Sequence, residues 1–303
     1  MSGVLFRIMV PVVIMVKILS ELELIKYVAA AFQPLMRLVG LPGEMGLVWA
    51  TAVITNMYGG IVVFATIGPS LELSVAQTTV IACMILIAHS MPVETAIARK
   101  SGVRIRFMIP FRIVSALFMG LLLNWVFSTA NLFQNGSRIL WEASERNGDI
   151  LDWAFSQARN LLTIFLIVLI LIILMKVLDR LGITRLMNRL LKPVLTSMGI
   201  SEEASTVTII GMILGISYGG GLIIREAGSG RIDQRDVFFS IALMGLCHAV
   251  VEDTLLMMSL GATIWGVLFA RILFSWITVA VLVRITSRIP DSAFCRFMFK
   301  CAD

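Results

Sequence analysis

Gly215-Ile-Ser217-Tyr218-Gly219-Gly220-Gly221-Leu-Ile-Ile-Arg225-Glu-Ala-Gly228 interrupts an apolar segment, and 160 residues earlier Asn56-Met-Tyr58-Gly59-Gly60 interrupts another. Whether these two stretches cross a membrane or turn back within it decides the fold. They belong to a longer repeat. At an offset of 159, Lys17 matches Lys176, Pro34 matches Pro193, Gly40 matches Gly199 and Glu44 matches Glu203. The same offset relates His89 to His248, Thr95 to Thr254, Gly102 to Gly261 and Arg112 to Arg271. Rare and polar residues recurring at one register mark an internal duplication.

The chain has 303 residues, of which 58% are hydrophobic and only 15% charged. A soluble domain carries about 25% charged residues, and the mean hydropathy here is +0.94. Leu161–Leu178 is apolar almost throughout, close to the roughly 20 residues a bilayer-spanning helix needs. The expected class is an all-α polytopic membrane protein. Residues 1–128 form a first repeat, 129–158 a polar linker with Asn135-Gly136 as a turn signal, and 159–303 a second repeat with a short basic tail. Lys17 and Lys176 place the first apolar helix inside the fold rather than in a cleaved leader.

If each Gly-rich segment spans, a half has four crossings and the repeats are parallel. If each is a re-entrant hairpin, a half has three and the repeats are inverted. Lys and Arg accumulate on the cytoplasmic side. The hairpin arrangement gathers Arg99 to Arg106, the 176–192 basic run, Arg225 to Arg235 and the basic tail on one side, leaving Lys26, Arg37, Arg138, Arg146 and Arg159 on the other. The spanning arrangement splits the basic groups. The expectation is therefore about six spans, two re-entrant or broken Gly-containing helices, inverted halves and both termini cytoplasmic.

Polar groups at membrane depth are the candidate site. His89-Ser-Met-Pro-Val-Glu94 and His248-Ala-Val-Val-Glu252-Asp253 fall about a dozen residues into their helices, where ionisable residues are costly and mark function. His248 and Glu252, four apart, are expected on one helix face, and Pro92 is expected to kink its helix. The acidic residues suit proton relay or cation binding, or pairing with Arg112 and Arg271. Those arginines are read as snorkelling or structural ion pairs. Helix breaks inside a bilayer free backbone groups that can hold solute. The expected substrate-binding set is thus His89, Glu94, His248, Glu252, Asp253, Asn56, Tyr58, Gly59, Gly60, Ser217, Tyr218, Gly219 and Gly220, with His248, Glu252 and His89 as metal candidates. Close packing through small residues is the competing reading of the glycines.

HExxH, GxSxG and P-loop patterns are missing from the sequence, so neither an enzyme nor a cofactor is expected. The net charge of +6 reflects helix ends rather than a nucleic-acid footprint. Cys83 and Cys247 lie in apolar helices as packing residues, and Cys295 and Cys301 in the tail imply no disulfide framework.

The duplicated Gly-interrupted segment followed by a polar mid-helix cluster resembles the Gate, or nucleoside recognition, domain. The residues that carry the likeness are Gly215–Gly228 and Ile54–Gly68. That family includes spore maturation proteins A and B, and similar gate segments occur in ferrous-iron transporter B and concentrative nucleoside transporters. The acid-containing hairpin of the nucleoside transporters and the Cys-Pro gate and GTPase domain of the iron transporter have no counterpart in this sequence. The resemblance implies a multi-pass protein of the bacterial inner membrane. The leading expectation is a transporter of a small polar solute, nucleoside-like or ionic, with its site between the inverted halves and coupling to protons. A divalent-metal transporter and a non-transporting scaffold acting with a partner are the alternatives. A homodimer or a second Gate-type membrane protein is the expected macromolecular partner, besides the lipid bilayer.

Overall fold

The computed structural model describes residues 2–138 and 150–301. The first repeat holds α1 (Ser2–Glu21), α2 (Ile25–Leu38), α3 (Met45–Ile54), α4 (Met57–Ile67), α5 (Val75–Ile87), α6 (Met91–Lys100) and α7 (Ile105–Thr129). The second holds α8 (Ile150–Arg180), α9 (Ile183–Ser197), α10 (Glu202–Leu214), α11 (Ile216–Ser229), α12 (Gln234–Leu246), α13 (Val250–Ser259) and α14 (Arg271–Thr286), then a short α15 (Asp291–Phe297). The bounds of α12 and α13 are those of α5 and α6 moved by 159. Left-handed backbone recurs at the same offset, with Gly40 and Gly199, Ser90 and Ala249, and Gly102 and Gly261 all at positive φ. The duplication is thus written into the backbone, and the fold is all-α.

Local chemistry sets these boundaries. Ser74 and Gln77 form a reciprocal capping box at the start of α5, satisfying two amides that the first turn leaves without partners. Asp233 accepts from the Arg235 amide at the start of α12. α8 begins at Ile150, inside the stretch expected to be linker, because Trp153, Phe155, Gln157 and Asn160 continue the helix of the apolar span toward its N-terminus.

Among the described residues, five helices or helix pairs are long and apolar enough to cross a membrane: Val75–Lys100, Ile105–Thr129, Asp152–Leu178, Gln234–Ser259 and Trp265–Thr286. α1 is the repeat equivalent of α8 and the sixth span of the reading above. Burial separates them. Most of the Val75–Lys100 and Gln234–Ser259 spans is buried, and least of the Asp152–Leu178 span, whose Leu162, Leu166, Ile170 and Ile173 face outward as lipid-contacting residues do.

The Gly-rich segments are hairpins. α3 and α4 fold back on each other so closely that a Cβ on Gly60 would lie 2.7 Å from the Ala52 Cβ. In α10–α11 a Cβ on Gly219 would lie 2.2 Å from the Gly211 Cα, so two backbones touch where side chains would hold them apart.

Two loop contacts fix the topology. Val103, between α6 and α7, bridges to Phe299 of the tail, and the Lys300 amide donates to the Gly102 carbonyl at 2.7 Å. Ser74 bridges to Gly136, and the Ser137 hydroxyl donates to the Leu260 carbonyl. A spanning α10–α11 segment would put the partners of the Val103–Phe299 and Ser137–Leu260 contacts on opposite sides of the membrane, and a hairpin puts them on one side; Ser74 and Gly136, two spans apart, share a side either way.

Three sequence expectations are corrected. Pro92 kinks nothing: it sits in the first turn of α6, where its missing N–H is not needed, and the chain breaks before it at Ala88–Ser90. The same break at Cys247–Ala249 separates α12 from α13, so His248 and Glu252 do not share a helix. Cys295 and Cys301 form a disulfide, because α15 and the turn after it bring them to a Cα–Cα distance of 5.4 Å.

The chain forms two compact units. The first comprises Met1–Ser90, Ala116–Ile173 and Thr254–Val267, and the second Met91–Ser115, Leu174–Asp253 and Leu268–Asp303. Each unit draws on both repeats.

Candidate functional site

The second unit buries an unusual set of charges. Arg112 and Arg271 are each 1% exposed, Glu94 4% and Asp253 3%, far below what charged side chains tolerate without partners. α6 supplies Glu94, α7 Arg112, α13 Asp253 and α14 Arg271. Arg112 Nη1 lies 2.7 Å from Glu94 Oε2 and 3.6 Å from the Met91 sulfur. Arg271 Nη2 lies 3.6 Å from Asp253 Oδ2. The pairs are repeat equivalents, so the duplication carried a whole ion pair with it.

The break at Cys247–Ala249 explains what Arg271 does there. A helix end frees carbonyls that hydrocarbon cannot solvate. Arg271 Nε donates to the Leu246 carbonyl at 3.1 Å, and Nη2 donates to the His248 carbonyl at 3.0 Å. The guanidinium thus caps the C-terminal end of α12, where the helix dipole favours a cation. Asp253 stands in the first turn of α13, where the dipole favours an anion. A six-residue π-helical turn, Trp265–Ala270, leads directly into Arg271.

His248 occupies the break itself. Its Nδ1 donates to the Met244 carbonyl at 2.7 Å; a carbonyl can only accept, so Nδ1 carries the hydrogen. Nε2 faces Glu94 Oε1 at 3.5 Å. A neutral imidazole of that tautomer turns a lone pair toward a carboxylate, and one proton, on either group, turns the contact attractive. His248 comes from the second repeat and Glu94 from the first, so both repeats build this cluster.

The hairpin break abuts the span break. A Cβ on Gly215, at φ 93°, would lie 3.8 Å from the Ala249 Cβ, and one on Gly220 would lie 2.4 Å from Cγ2 of Ile97. α11 therefore packs on α6, the helix that carries Glu94. The first unit repeats the motif. The Ser90 amide donates to the Ala52 carbonyl at 3.0 Å, joining the 88–90 break to the end of α3. His89 Nδ1 is 2.9 Å from the Ile85 carbonyl, the counterpart of the His248 contact.

Glu94, His248 and Asp253 meet in the second unit. Glu252 stands half-buried in the first turn of α13. His89 is in the first unit with Asn56, Tyr58, Gly59 and Gly60. Asn56 caps α4, its Oδ1 accepting from the Gly59 amide at 2.9 Å. Gly59, Gly60, Gly219 and Gly220 all pack against neighbours that a side chain would strike. The side chains of Ser217 and Tyr218 lie outside the described residues. Of the two readings of Arg112 and Arg271, snorkelling or structural ion pairs, the structure forms the ion pairs and buries both guanidiniums. Their shared offset and matching acids were the available signal.

Residues 161–286 match the Gate family, described as nucleoside recognition, and this stretch contains the α10–α11 hairpin, His248, Asp253 and Arg271. Over residues 161–286 the chain is similar to that family. The chain is also 27% identical over 280 residues to YvoD, an uncharacterized membrane protein of Bacillus subtilis (strain 168), covering 91% of this chain and 87% of the relative. No solved structure matches the chain. The matched residues supply the second-repeat half of the charge cluster, while Glu94 and Arg112 come from outside them.

Proposed function

We propose that this membrane protein is a permease for a small polar solute, nucleoside-like or ionic, whose translocation passes the broken helix at His248. One observation carries the reading. Two broken helices abut inside the second unit, around a buried His–Glu–Arg–Asp–Arg cluster to which both repeats contribute. Helices broken at membrane depth are how inverted-repeat transporters expose backbone groups to solute. The description of the Gate family favours a nucleoside-like cargo over a bare metal ion.

Proton coupling would run through His248 and Glu94. Arg112 on α7, Asp253 on α13 and Arg271 on α14 face that pair, and together the two cations and two carboxylates are balanced. A proton entering the His248–Glu94 contact would alter which carboxylate each arginine holds and so loosen the seal between the repeats. The basic side of the protein, with both termini, would face the cytoplasm of a bacterial cell.

The test is uptake of radiolabelled nucleosides into proteoliposomes with and without an imposed pH gradient. Gradient-driven accumulation that falls at least tenfold in Glu94→Gln and His248→Gln, with both variants still folded, is the expected result. Accumulation unchanged in both variants would remove the cluster from the transport path. An inactive native protein across nucleosides, metal ions and organic anions would favour a non-transporting role.

A further inference from the structure

A second polar site lies in the first compact unit. A cleft of about 200 Å³ opens between the end of α1 and the start of α8, lined by Lys17, Ser20, Glu21, Thr66, Trp153 and Gln157 among apolar residues. Gln157 is 5% exposed, and its side-chain Nε2 has no hydrogen-bond partner. A buried donor left in that state costs about 1–3 kcal/mol, and this one lines the cleft. Beside it, the Lys17 ammonium lies 5.4 Å from the Trp153 ring centroid and 2.6 Å from Glu21 Oε1. Lys17 is one-quarter exposed and Glu21 two-thirds exposed, so both remain within reach of an incoming molecule.

We infer that this cleft binds a zwitterion bearing a primary ammonium and an oxyanion. The donors are Gln157 Nε2 and Lys17 Nζ, and they call for an oxyanion. The acceptor is the Glu21 carboxylate, and it calls for an ammonium. A simple anion would meet Glu21 and a simple cation would meet Lys17, whereas a molecule carrying both charges satisfies each. Glu21 closes α1, where the helix dipole also favours the ammonium. The headgroup of phosphatidylethanolamine and a free amino-acid-like solute share this chemistry. The site is separate from the charge cluster at His248 and does not depend on its role.

The experiment uses the full chain in phosphatidylglycerol nanodiscs, with tryptophan emission read as the difference from Trp153→Phe. Three probes are titrated: phosphatidylethanolamine doped into the disc, soluble O-phosphoethanolamine, and glycine. A saturable change is expected. A response to the lipid alone assigns the headgroup, and a response to either soluble probe assigns a solute. Gln157→Leu, which keeps the bulk and loses the amide, should weaken binding at least tenfold, and Lys17→Met should do the same independently if Gln157→Leu fails to fold. No response to any probe, or native-like binding by these variants, would overturn the assignment.

Discussion

Arg271 joins three tasks in one side chain: it caps the Leu246 carbonyl, caps the His248 carbonyl and stands opposite Asp253. Removing one partner of a buried ion pair typically costs about 3–5 kcal/mol, because the remaining charge stays buried. Arg271→Met should therefore lower stability by about that amount in a chemical-unfolding titration in micelles. Arg271→Met combined with Asp253→Asn should recover part of the loss, and the orphaned carbonyls should keep the rest. A double variant no better than the single one would show that the Asp253 pairing contributes nothing. These residues were visible in the sequence as identities at one offset. The pairing of these arginines with the acids was also within reach of the sequence, but the contact of Glu94 with His248 of the other repeat was not. Proximity between repeats depends on how the helices cross, which one-dimensional spacing does not contain.

At the scale of the elements, the Gly-rich hairpins were legible because glycine and a freed backbone go together. The breaks at Ala88-His89-Ser90 and Cys247-His248-Ala249 were not, because neither contains glycine or proline and both sit in apolar runs that read as one helix. Ser90 and Ala249 are held at φ 50° and 45°, a conformation that costs a residue with a Cβ about 1–2 kcal/mol. Ala249→Gly should accordingly raise the melting temperature, since relief of that strain exceeds the roughly 0.5–1 kcal/mol of added chain entropy. A lowered melting temperature would mean that the Cβ packing outweighs the backbone strain. The hairpins predict the reverse. Gly219→Ala drives a methyl into the Gly211 backbone and should sharply reduce folded yield, whereas Gly221→Ala, with nothing within 4 Å, should be silent. Equal yields of folded protein from both would contradict the close approach of α10 and α11.

For the whole molecule, the loop contacts make topology testable. Single cysteines introduced as Lys100→Cys and Arg288→Cys, in a chain without its tail cysteines, should react with an impermeant maleimide from one side. Gly136→Cys should react from the other. Labelling of Lys100→Cys and Arg288→Cys from opposite sides would restore the four-crossing arrangement. The all-α polytopic class was legible because apolar runs of spanning length are a sequence property.

The division of the chain carries a historical consequence. The second unit takes Met91–Ser115 from the first repeat, and the first takes Thr254–Val267 and the early turns of α8 from the second. An ancestor encoding one repeat could have completed such units only by sharing segments with another copy of itself. Fusion of two genes would then have tethered an exchange that already existed, and either half expressed alone today should be found aggregated or paired, never as a folded monomer.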